Sequence, residues 1–111
     1  LPSKESDEIA KGLDVDYYFI KAKIAHVIGE RMNIEYANQI LPLLNHKNNF
    51  VRGEAIQAIS KLKYKPSIET LANLLDDNNK PWGNSEKTIS QLALEALAEI
   101  ESTGSEDDDL T

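Results

Sequence analysis

At 111 residues the chain is the size of one small domain, and 41% hydrophobic with 28% charged residues is enough to bury a modest core in water. It has no cysteine, which excludes disulfides, thiolate metal sites and cysteine nucleophiles. Twelve basic against nineteen acidic residues leave a net charge of −7, and the basic ones are scattered singly, so a nucleic-acid backbone is not an expected partner while a basic protein suits the sign. No uncharged stretch is long and apolar enough to span a membrane, and no signal peptide opens the chain, so a cytoplasmic location is expected.

In chain order, a self-similar unit repeats. A shift of 31 places Ile9 on Ile40 on Leu71 and Leu13 on Leu44 on Leu75, and it sets Phe19 on Phe50 and Ile28 on Ile59. In the third copy the second half registers only after seven extra residues, where Val51 meets Ile89 and Ile59 meets Leu97. Apolar residues at intervals of three and four predict two helices per unit. The first unit, residues 3–31, holds helices over 4–13 and 16–31. The second, 34–63, holds helices over 34–44 and 49–62. The third, 66–101, holds helices over 66–75 and 85–101, with Pro66 at a first helical position. Domain 1–102 thus comprises three repeats. Residues 103–111 carry four acids and too little apolar area to order themselves, which predicts an acidic disordered tail.

Ile40-Leu41-Pro42-Leu43-Leu44, a short polar turn, and then Val51-Arg52-Gly53-Glu54-Ala55-Ile56-Gln57-Ala58-Ile59 together resemble a HEAT repeat. That family has a proline in its first helix, an acid at the turn and Val-Arg opening its second helix. The short unit is similar to the HEAT-like repeats of phycobilisome-lyase type. The resemblance implies an all-α, right-handed α-solenoid of three helical hairpins, six helices in all, kinked at Pro42. It also implies that Arg52 caps its turn and pairs with an acid of a neighbouring repeat, Asp14 or Asp76.

Nothing in the chain marks an enzyme. His26 and His46, the only histidines, lack a second histidine at ligand spacing, and the His-Glu dipeptides of iron-binding HEAT-like enzymes are missing. No metal and no cofactor is expected. Solenoids bind partners along one curved surface, which the resemblance assigns to the second helices. Register gives its rows as His26, Gln57 and Glu95, then Glu30, Lys61 and Glu99, with Lys23 and Glu54 one turn earlier. The competing reading is a solvated face of mixed charge.

The seven-residue insertion around Pro81-Trp82-Gly83 carries the only tryptophan, either as a staple over the open end of the third repeat at Leu94 or as a partner contact. The expected function is a non-enzymatic protein-protein interaction module. Its narrower form is an immunity-type inhibitor masking a basic toxin or nuclease. The alternatives are an assembly factor or chaperone subunit of phycobilisome-lyase type, and a segment of a larger scaffold solenoid. A monomer is expected unless the end of the last helix self-associates.

Overall fold

The computed structural model describes the backbone over residues 17–110 and side chains as far as residue 102. Among the described residues there are helices and turns and no strand. The long second helices are α1 (residues 17–30), α3 (Asn49–Leu62) and α5 (Ile89–Leu110). The short first helices of the second and third repeats are α2 (Ala37–Ile40) and α4 (Ile68–Asn73). These five are arranged as a solenoid-like series of hairpins; the sixth expected helix, residues 4–13, lies outside the described residues.

The first helices are shorter than the sequence period suggests, because each is part α-helix and part 3₁₀ turn. Residues 34–44 divide into a 3₁₀ turn Ile34–Tyr36, α2 and a second 3₁₀ turn Leu41–Asn45, with Pro42 inside the latter. Proline lacks the N–H that would continue the i→i−4 ladder, so the bend expected at Pro42 takes the form of a tightened turn. In the third repeat Pro66 lies in the 3₁₀ turn Lys65–Ser67 that leads into α4.

The second helices begin and end on identifiable devices. Asn48 caps α3, its Oδ1 accepting from the N–H groups of Phe50 at 2.9 Å and Val51 at 3.2 Å. Thr88 and Gln91 form a reciprocal cap at the start of α5: Thr88 N–H donates to Gln91 Oε1 and Gln91 N–H to Thr88 Oγ1. α5 therefore starts at Ile89 rather than at Ser85, and Ser85 instead closes a turn on Lys87. At its other end the backbone stays helical to Leu110, past the expected end at Glu101 and through the stretch expected to be a disordered tail. Lack of apolar area removes tertiary support, but a helix already nucleated adds turns without a new nucleus.

α3 runs through the centre of the core. Ile40, Leu44, Ile56, Ile59, Leu71, Ile89 and Ile100 are fully buried, and Ile59 holds the central place that its register assigns. Gly29 lets α1 approach α3 closely, since a Cβ there would stand 2.8 Å from the Cα of Ala58. Arg52 is buried at the turn, donating through Nε to Asp77 Oδ2 at 3.0 Å, through Nη1 to the His46 carbonyl at 2.7 Å, and through Nη2 to Asn49 Oδ1. The expected inter-repeat pair forms with Asp77; Asp76 is exposed, and Asp14 lies outside the described residues.

Candidate protein-binding face

Polar and ring contacts link the three second helices and the insertion, and the residues involved fall into a charged region and an aromatic one. In the charged region the side chains pair with each other. Glu30 of α1 takes a hydrogen bond from Lys61 of α3, the two register partners at a spacing of 31. That hydrogen bond and the lysine charge hold the Glu30 carboxyl below the usual carboxylate range. His26 Nδ1 stands 3.3 Å from Glu54 Oε2, Lys63 Nζ 3.6 Å from Glu99 Oε1, and Lys87 Nζ 2.9 Å from Glu95.

Of the nine side chains expected on this face, Glu30, Lys61, Glu95 and Glu99 thus sit in ion pairs, and His26 stands beside Glu54. The rows themselves are only partly kept: Glu30 meets Lys61, but Glu99 reaches Lys63, and His26 reaches Glu54 rather than Gln57. Gln57 and Glu95 do come together, beside Trp82 and Lys87. Lys23 is exposed on α1 and lines a groove with His26 and Glu54. Leu92, which breaks the polar pattern, is buried.

The aromatic region lies at the N-terminal ends of α1 and α3. Phe19 of α1 packs on Phe50 of α3 with ring centroids 6.1 Å apart, and Phe50 packs edge-on against Trp82 at 6.3 Å. The row therefore takes one ring from each repeat. Phe19 is 64% exposed and Trp82 48% exposed. With Tyr18 and Asn48 they line a groove of about 580 Å³. Lys47 stands over the Tyr18 ring at 5.6 Å and His46 meets that ring edge-on. Leaving such rings in water forgoes about 25 cal/mol for each Å² of apolar surface, which a partner recovers by covering them.

The insertion is positioned by Pro81, which is buried; a Cβ on Gly53 would lie 2.7 Å from the Pro81 Cβ. This seats the loop on α3 and turns Trp82 toward Phe50. The loop does not staple the end of the array, because Leu94 is 60% exposed. Helical geometry gives the reason. Leu92 points at the loop side, and at about 100° per residue Leu94 points away from it. Sequence reasoning singled out Trp82 alone. The signal for the rest of the row was present, since the 31-residue shift sets Phe19 on Phe50.

Among the described residues no cluster of His, Asp or Glu is arranged to hold a metal ion, and no helix is long and apolar enough to cross a membrane. A family model of HEAT repeats matches residues 7–83, more than half of the chain. Hairpins of short and long helices, an interlocked Arg52 turn and this match agree, and the chain belongs to the HEAT-repeat family. Comparisons with curated proteins and with solved structures give no match. HEAT repeats generally mediate contacts between proteins, and the family is typically a scaffold rather than an enzyme.

Proposed function

We propose that this chain is a non-enzymatic protein-binding module that seats its partner along α1, α3 and the insertion, with Phe19, Phe50 and Trp82 as anchors. One observation carries the reading. The face's charges are largely engaged with one another, whereas its aromatic rings form a continuous row whose two ends, Phe19 and Trp82, are exposed. Exposed ion pairs contribute little to affinity, and buried aromatic anchors contribute most of it. Lys23, His26, Gln57 and Glu54 then border the contact, and Glu30, Lys61, Glu95 and Glu99 form its polar rim. The acidic balance supports the narrower reading of an inhibitor that masks a basic protein; no feature of this face favours a chromophore-bearing client of the phycobilisome-lyase kind.

The test is site-specific photo-cross-linking in the cells that make the protein. A photoreactive residue at position 19 or 82 should trap a protein that the same residue at exposed Glu69, on α4, does not. Equal labelling from both faces removes the proposal.

A further inference from the structure

One carboxylate on this face is incomplete. Glu54 Oε2 is buried and no hydrogen-bond donor is aligned on it; His26 Nδ1 comes within 3.3 Å but off line. An unmade bond to a buried polar atom costs about 1–3 kcal/mol, more for a charged one, so such an atom calls for a donor from elsewhere. Glu54 lines a second groove, of about 400 Å³, together with Phe19, Ala22, Lys23, His26 and Phe50. Phe19 and Phe50 also line the aromatic groove, so the two grooves share these rings as a common wall. His26 is nearly half exposed and Lys23 is exposed, whereas the Glu54 side chain is mostly covered, which puts the imidazole and the ammonium toward the rim and the carboxylate deeper.

A carboxylate short of a donor, in a groove that two aromatic rings also line, is complementary to a flat cation with several N–H groups on an apolar stem. We infer that this groove receives one arginine side chain of the partner, its guanidinium donating to Glu54 Oε2 and stacking against Phe19 and Phe50. The net charge of −7 favours the approach of such a segment. Lys23 at the rim selects a single inserted cation flanked by apolar residues over a run of basic ones. The inference rests on the binding face proposed above and names the chemistry that the face selects.

Trp82 is the only tryptophan and stands 6.3 Å from Phe50, so its emission reports on the groove. The probes are an acetylated Gly-Leu-Arg-Phe-Gly amide and the same peptide with citrulline, which keeps the shape and removes the charge. The arginine peptide should bind about tenfold or more tightly than the citrulline peptide, as a charge-assisted bond predicts. Glu54→Gln, which keeps the side-chain size, should erase that ratio, and Glu69→Gln, exposed on α4 away from the groove, should leave it intact. Equal binding of the two peptides, an unchanged ratio in Glu54→Gln, or no binding of the arginine peptide overturns the inference. If Phe19→Ala weakens both peptides alike while arginine and citrulline bind equally, the aromatic face stands and only the arginine is wrong.

Discussion

Gly53 has no room for a methyl group, and the loop that carries Trp82 depends on that. A Cβ would press on the Pro81 ring at 2.7 Å, and a proline ring cannot rotate away as a long side chain can. Gly53→Ala should cost about 1–3 kcal/mol, as overpacking does, and should shift Trp82 emission because the loop must lift from α3. Unchanged emission would show the loop held by other contacts. Glu30 and Lys61 give a pH signature. The folded-state carboxyl of Glu30 titrates below its ordinary range, so its contribution to stability is full above that range and is lost as pH falls through the lowered value. The melting difference between wild type and Lys61→Met should therefore shrink on acidification, and a difference that grew on acidification would reverse the assignment. At this scale the sequence was informative where both partners belong to the repeat: a shift of 31 matched Glu30 with Lys61 and Phe19 with Phe50. It misplaced Arg52's acid by one residue, because the turn is irregular and only its hydrogen bonds select Asp77 over Asp76. It could not join Trp82 to the aromatic row, because a residue in an insertion has no register.

α1 and α3 stop in the same way, at positions 31 apart. Met32 and Lys63 take left-handed backbone, with φ of 57° and 51°. Each N–H bonds three residues back, Met32 to Gly29 and Lys63 to Ser60, and the next N–H reaches five back, Asn33 to Ile28 and Tyr64 to Ile59. This is the usual helix stop, filled here by residues that pay a left-handed penalty glycine avoids. Lys63→Gly should therefore stabilise the fold by roughly 0.5 kcal/mol, the relieved strain being partly offset by the freer unfolded chain. Denaturant titration would measure it, and a loss above about 1 kcal/mol would mean that the Lys63–Glu99 pair outweighs the backbone. Helix positions were legible because apolar spacing reports buried faces, and α3 matches its expected span. Helix type within the first helices was not legible: 3₁₀ and α turns bury similar faces over so few residues. The start of α5 was misplaced for a related reason. Ser85 and Thr88 are both good capping residues, and only the reciprocal bonds with Gln91 select Thr88.

At the scale of the whole molecule, the described residues share one core that reaches from Ala25 in α1 to Ile100 in α5, with α3 between them. Repeats that share a core lose it together, so unfolding should be a single transition, and Ile59→Ala, at the centre, should cost on the order of 2–5 kcal/mol. A loss below about 0.5 kcal/mol would contradict the burial of Ile59. Among the described side chains the core extends to Ile100, and the acids Glu106, Asp107, Asp108 and Asp109 follow it in sequence. Four carboxylates so close in sequence suit a role at long range. A cluster of carboxylates attracts a positively charged partner before contact and changes the association rate more than the final affinity. Truncation after Ser102 should leave the melting temperature nearly unchanged, while the association rate with the arginine peptide should fall and depend less on salt. Stopped-flow Trp82 fluorescence at two ionic strengths reads both quantities. A rate that rose on truncation would mean that the acids compete with the partner for the groove, and the steering role would be lost.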